Sequence, residues 1–151
     1  MLEQIKKAIL EKYWPEEKKW FFLSWYNANW FLLFSKWILH TDTWIKKLIE
    51  TLFFKYVEQN KTVKNNISFF ICDIVSQVIE ITNPNDVFKA SMQEYGVVLV
   101  STDSNKSWVI LPNTEWVVDA KHAIFLIKQK ENLDGRVNIY AFRTDRIQVN
   151  L

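Results

Sequence analysis

Hydrophobic residues recur at the three- and four-residue spacing of amphipathic helices in four parts of the chain. The segments with this pattern are residues 2–13, 44–58, 87–95 and 119–132. Pro15 ends the first of them, and Gly96 stands as the C-terminal stop of the third. The second is the clearest, because its apolar stripe follows the potential N-caps Thr41, Asp42 and Thr43. We therefore predict three to four helices.

Apolar and β-branched stretches without helical spacing predict strands. These stretches are residues 20–25, 30–39, 67–81, 97–101 and 108–112, followed by RVNIYAF and RIQV near the end of the chain. The turn sequences YNAN and DSN join neighbouring stretches into two hairpins, whereas the polar residues 58–66 predict a loop. Residues 67–81 form either one long strand or two with a bulge near Ser76. Because the strands come in hairpins, the expected fold class is α+β, an α/β two-layer arrangement with a mainly antiparallel sheet.

Length and composition are those of one globular domain. The chain has 151 residues, of which 49% are hydrophobic and 24% charged. Its apolar runs reach about five residues, far below the ~20 that span a bilayer. The N-terminus MLEQIKKAIL lacks the apolar stretch of a secretory signal, and the single cysteine, Cys72, cannot form an internal disulfide. A single domain over residues 1–151, in the cytoplasm and without a membrane partner, is therefore expected.

Charge gives only a weak indication of a nucleic-acid partner. The net charge is +2, although all three arginines, Arg136, Arg143 and Arg146, lie near the C-terminus. The aromatic and basic segment KKWFFLSWYNANW has the composition of a surface that stacks bases. Its apolar residues alternate as in a half-buried strand, and charged residues are mostly exposed in proteins. Core packing and a solvated strand pair are the preferred interpretations, and nucleic-acid binding stays an alternative.

Standard catalytic and cofactor motifs are absent from the sequence. It has no glycine-rich phosphate loop, no paired cysteines and no HExxH, so no cofactor is predicted. His40 and Asp42 alternate along HTD, but a metal site needs a third ligand, so no metal site is predicted either. Cys72 lies in the apolar stretch FFICDIV, where a structural cysteine is expected rather than a nucleophile. His122 has no neighbouring partner that would mark it as a catalytic base.

Glycine and tryptophan occur in unusual numbers. The chain has two glycines, where an average usage of about 7% predicts roughly ten, and it has eight tryptophans. Trp30, Trp44 and Trp108 each follow a turn-like or cap-like sequence, although tryptophan adopts the positive φ of tight turns only at a cost. Some bacteria decode UGA as glycine, and another genetic code decodes it as tryptophan. Our hypothesis is that several tryptophans are mistranslated glycines, and the alternative is an aromatic-rich core or a stacking surface.

Several stretches carry a resemblance to a known family. YGVVLVSTDSNKSWVILPNTEW matches a strand, turn and strand ending in the motif G-V-x-L-P, with Trp108 on the glycine and Leu111 and Pro112 on the Leu-Pro. Downstream, LIKQKENL is similar to a helix that ends K-A-G-L, and VNIYAFRT is similar to a terminal strand. Upstream, ISFFICDIVSQVIEI stands where the same pattern has another strand. From about Phe21 to Ile147, the chain therefore resembles the AMMECR domain family, also called protein A of the AmmeMemoRadiSam system.

The signature of that family, G-x-L-R-G-C-I-G, falls on WFLLFSKW. Trp30 and Trp37 occupy its outer glycines, and Leu32 occupies its leucine. The other positions depart from the signature: Leu33 stands for the arginine, Phe34 for the inner glycine and Ser35 for the cysteine, so that any chemistry of that cysteine would have to rely on Ser35.

The resemblance implies a domain with a mainly antiparallel sheet and a smaller subdomain. It also implies a cytoplasmic protein whose genes neighbour those of Memo-like and radical S-adenosylmethionine proteins. An accessory or substrate-binding component working with those proteins is the expected function. The expected binding residues are Leu32, Leu33, Phe34, Ser35, Trp37, Leu111 and Pro112. A divergent enzyme that uses the cleft near residues 30–37, or a nucleic-acid-binding module, is the alternative.

Overall fold

The computed structural model of the chain describes residues 1–39, 43–83, 91–104, 106–114, 117–131 and 136–151. The helices of these residues are α1 (Leu2–Leu10), α2 (Ile45–Phe53), α3 (Lys61–Asn66) and α4 (Ala120–Glu131), and a π-helical turn, Phe54–Glu58, continues α2. The strands are β1 (Phe21–Tyr26), β2 (Leu32–Ile38), β3 (Phe69–Ile81), β4 (Gly96–Ser101), β5 (Ser107–Ile110) and β6 (Val137–Asn150).

The six strands form one sheet in the order β2-β1-β3-β6-β4-β5. β1 pairs antiparallel with both β2 and β3, and β4 pairs antiparallel with both β5 and β6. The two predicted hairpins, β1–β2 and β4–β5, are therefore confirmed. Helices together with an antiparallel sheet confirm the predicted α+β fold class. No helix in the described ranges is long and apolar enough to cross a membrane.

The chain divides into two compact units. Unit 1 consists of Met1–Ile74 and Asp145–Leu151, and unit 2 of Val75–Thr144. Each unit has its own cluster of buried hydrophobic residues.

The core of unit 1 follows from the hydrophobic periodicities of its elements. Ile5 and Ile9 of α1 are fully buried, as the helical spacing predicts. In β1 the alternate residues Phe21, Leu23 and Trp25 are buried in the same cluster. The clearest predicted helix, residues 44–58, is confirmed as α2 with its π-helical turn, and it buries its apolar stripe in this core.

The core of unit 2 lies between β4, β5 and α4 and includes Val97, Leu99, Ala123 and Ile127. Gly96 is not a helix stop, which corrects the prediction: it is the first residue of β4, and its φ is not positive. A Cβ atom at this position would lie 2.7 Å from the carbonyl oxygen of Ile110 and 2.8 Å from Cε1 of Phe142. Close packing, rather than a turn, therefore requires glycine here.

Three further predictions on secondary structure are corrected. Residues 58–66 are not a loop, because Lys61–Asn66 form α3, whose cap Asn60 accepts a hydrogen bond of 3.2 Å from the Val63 amide. The two predicted C-terminal strands are one continuous strand, β6. For residues 67–81, the alternative of one long strand is confirmed, since Phe69–Ile81 form β3. In the predicted helix 87–95, residues 92–94 form a turn, and residues 87–90 lie outside the described residues.

Candidate functional site

The turn between β1 and β2 is organised by one asparagine side chain. Asn27 Oδ1 accepts hydrogen bonds from the backbone amides of Asn29, at 2.9 Å, and Phe31, at 3.0 Å. The Asn27 and Phe31 backbones add a hydrogen bond of 3.0 Å across the turn. This arrangement closes the hairpin tightly and leaves Trp30 at its last corner.

Trp30 adopts a backbone conformation that favours glycine. Its φ is 62°, in the left-handed region. The indole is 49% exposed and stacks on Phe69, with ring centroids 4.1 Å apart and an interplanar angle of 7°. The ring of Tyr26 lies 5.7 Å away. The first position of the signature-like segment is therefore a tight corner.

The predicted binding residues of β2 face in two directions. Phe34 turns to the core of unit 1, where its ring stacks on Tyr56 at 4.3 Å. Ser35 and Trp37 are exposed and lie opposite Ser24 and Phe22 of β1. The remaining members of this segment, Leu32 and Leu33, are exposed and half-buried respectively.

The segment 31–37 leaves several large apolar side chains in solvent. Phe31 is 68% exposed, Leu32 54% and Trp37 47%. β2 is also the terminal strand of the sheet formed by the described strands, so one edge of its backbone is unpaired in that sheet. We call residues 31–37 the β2 edge. An apolar surface of this kind beside unpaired strand edges is typical of an interaction site.

The second part of the predicted site lies in unit 2. Leu111 and Pro112 follow β5 directly and are half-buried. The Leu111 carbonyl accepts a hydrogen bond of 2.8 Å from Thr114 Oγ1, and the Asn113 amide donates one of 2.7 Å to the Met92 carbonyl. Asn113 has a φ of 58°, which asparagine adopts more readily than most residues. The two parts of the predicted site thus belong to different units.

None of the nucleophiles and bases that we considered forms a catalytic pair within the described residues. Cys72 is fully buried, and its burial raises the pKa of the thiol well above its ordinary value. The burial that was expected of Cys72 is therefore confirmed. Nδ1 of His122 accepts a hydrogen bond of 3.3 Å from the Val118 amide at the start of α4, a capping contact. His40 and Asp42 lie outside the described residues.

Asp73 lies too far from Ser35 to act as its base. On the strand register, Asp73 lies two strands away and two residues further along. With strands ~4.8 Å apart and residues ~3.4 Å apart, that separation is about 12 Å, far beyond a hydrogen bond. Across the described ranges, no group of three histidine, cysteine, aspartate or glutamate side chains is placed to hold a metal ion.

One charged pair was not predicted from the sequence. Asp73 is buried, and its carboxylate accepts two hydrogen bonds from Arg146, at 2.8 Å from Nε and 3.0 Å from Nη2. These bonds raise the pKa of the Arg146 guanidinium above its ordinary value. The sequence did contain a signal for this pair, because Asp73 lies inside an apolar strand and a buried charge needs a partner.

A shallow depression beside the π-helical turn was also unforeseen. It is lined by Glu50, Thr51, Phe54, Lys55 and Gln59. π-helical turns are frequent at functional sites, but these side chains do not include a histidine or cysteine that would suggest a reaction.

Comparison with known proteins shows a similar fold in a solved structure. No family model and no curated protein matches the sequence. The fold is similar to that of the uncharacterized protein PH0010 from Pyrococcus horikoshii, with a TM-score of 0.69 and 14% sequence identity. The match covers 97% of this chain and 86% of that protein. It shows a shared fold.

Proposed function

We propose that this chain is a cytoplasmic AMMECR-like domain that binds a partner or substrate as an accessory component, working with Memo-like and radical S-adenosylmethionine proteins. The resemblance of WFLLFSKW to the family signature supports the family. The observation that carries a binding role is the β2 edge, where Phe31, Leu32 and Trp37 are exposed beside the unpaired edge of the sheet.

Binding is favoured over catalysis by the chemistry of the segment. The position of the family's cysteine holds Ser35, and the position of its arginine holds Leu33. A serine hydroxyl needs an adjacent base to become a nucleophile, and the register leaves Asp73 about 12 Å from Ser35. Exposed apolar groups, in contrast, bind a partner without any base.

The enzyme alternative makes a different prediction for the same residue. If Ser35 carried a reaction, Ser35→Ala would abolish turnover while leaving partner affinity unchanged. If the chain is a binding component, the same substitution changes neither partner affinity nor the turnover of the partner enzyme.

The nucleic-acid alternative has less support in the described residues. Two of the three C-terminal arginines form ion pairs within the chain: Arg146 with Asp73, and Arg143 with Glu94 at 3.8 Å. Arg143 also lies over the Tyr95 ring. A nucleic-acid complex would show affinity that falls steeply with salt, and no binding at low salt would remove this alternative.

Isothermal titration against the Memo-like and radical S-adenosylmethionine proteins encoded in the same genome tests the proposal. The double variant Phe31→Ser/Leu32→Ser should lose at least about tenfold in affinity, since it removes exposed apolar contacts. Phe125→Ser is the matched control, because Phe125 is similarly exposed, at 59%, on α4 in unit 2. Unchanged affinity of the double variant, or no binding by the unmodified chain, would contradict the proposal.

A further inference from the structure

We infer that residue 30 is a glycine in the protein as its own cell makes it, so that the codon at this position is decoded there as glycine rather than tryptophan. This inference concerns the identity of one residue and does not depend on the proposed function.

The backbone at position 30 is the main evidence. Among the described residues, only Trp30 and Asn113 combine a side chain with a positive φ. Asparagine enters this region readily, because its short polar side chain can bond locally. Tryptophan has no such compensation, and the Cβ atom meets the neighbouring backbone. The backbone of the hairpin corner therefore favours glycine at position 30.

The side chain of Trp30 gives no core-packing reason for its presence. The indole is half-exposed at the turn, where it stacks on Phe69 beside Tyr26. Trp25, only a few residues earlier, is the opposite case: it is 1% exposed in β1 and lies against Phe34 and Phe70. Core packing therefore gives Trp25 a structural reason that Trp30 lacks.

Other tryptophans that raised the same question lie on ordinary backbone. Trp37 and Trp108 occupy regular positions in β2 and β5, opposite Phe22 and Leu99. Trp44 precedes α2 with φ −61° and ψ 142°, which any residue adopts. Among these four positions, only residue 30 has the positive φ that favours glycine.

Glycine at position 30 would also change the neighbouring surface. The Phe69 ring face that the indole now covers at 4.1 Å would be open to solvent. The candidate site would then begin with an accessible aromatic face, next to the exposed Phe31 and Leu32.

Paired substitutions separate the backbone effect from the loss of the indole. Trp30→Gly and Trp30→Ala both remove the ring, but only glycine relieves the positive φ. We expect the Tm of the glycine variant to exceed that of the alanine variant by about 2–4 °C. The matched control is Trp37, which has similar exposure on a regular strand, where glycine should be less stable than alanine. Equal or lower stability of Trp30→Gly than of Trp30→Ala would overturn the backbone argument.

The coding DNA and the native protein give the direct test. We expect UGA at codon 30 and UGG at codon 25, and a peptide from the native cells whose mass shows glycine at position 30. A UGG codon at position 30, or a native peptide with tryptophan there, would overturn the inference.

Discussion

Strands β1 and β2 are neighbours with similar sequences but opposite environments. β1 reads FFLSWY and has four buried residues, whereas β2 reads LLFSKWI and has none. β1 lies between β2 and β3, while β2 has one unpaired edge in the described sheet. Strands of similar hydrophobicity are therefore mostly buried in one case and mostly exposed in the other. The position of a strand in the sheet, more than its composition, decides this difference.

The largest expected effect tests the buried member of this comparison. Trp25→Ala should lower the free energy of unfolding by about 3–5 kcal/mol, because it leaves a large cavity among Phe34 and Phe70. Trp37→Ala on β2 should cost less than about 1 kcal/mol. Urea unfolding of both variants measures the contrast. Similar losses in the two strands would break the comparison.

A conservative variant sharpens the same test. Nε1 of Trp25 is buried without a hydrogen-bond partner among the described residues. Trp25→Phe should therefore be far milder than Trp25→Ala, because it keeps a ring in the core and removes an unpaired N–H group.

The next largest effect concerns Asp73, the polar residue of β3 that pairs with β1. Asp73 lies opposite Phe22 and is buried, while the side chain of its partner Arg146 is 53% exposed. Arg146→Ala should lower the free energy of unfolding by about 1–3 kcal/mol, because the buried carboxylate loses both hydrogen bonds. Arg146→Lys should restore only part of this, since lysine cannot form the bidentate pair. Full stability of Arg146→Ala would show that water replaces the guanidinium.

The smallest expected effect on the free energy of unfolding depends on pH and involves Tyr13, which packs against the core of unit 1. Tyr13 donates a hydrogen bond of 2.6 Å to Asp145 Oδ2, and burial together with this carboxylate raises the pKa of the Tyr13 hydroxyl. Because the pKa of Tyr13 is higher in the folded than in the unfolded chain, its hydrogen bond stabilises the folded state fully below the unfolded pKa of about 10. This stabilisation is lost progressively as the pH rises above that value.

Tyr13→Phe should accordingly cost about 1 kcal/mol at pH 8, and the difference from the unmodified chain should shrink above about pH 10. Denaturant unfolding across this range measures it. A difference that does not change with pH would show that the hydroxyl does not titrate with folding.

The fold could be predicted where one periodicity dominates. The buried helix faces could be predicted from the spacing of Ile5 and Ile9 in α1 and from the apolar stripe of α2. The turn sequences predicted where the hairpins form. α3 was missed, because KTVKNN is polar and offers only the cap Asn60 and the buried Val63 as signals. Gly96 was misassigned because its need for glycine comes from Phe142, which is distant in sequence.

The candidate site could be predicted only in part. The corner at Trp30 follows from local turn chemistry, and the positive φ agrees with it. The exposure of Leu32 and Trp37 could not be predicted, since strand order depends on long-range pairing. The same holds for Asp73 and Arg146, which are 73 residues apart and meet only in the folded chain.

Amide hydrogen exchange of the chain, alone and with the Memo-like protein of the same genome, tests the proposed binding surface most directly. We predict slower exchange of the amides of residues 31–37 in the complex, with no change in α4. Protection confined to other segments, or no protection anywhere, would contradict the role proposed for the β2 edge.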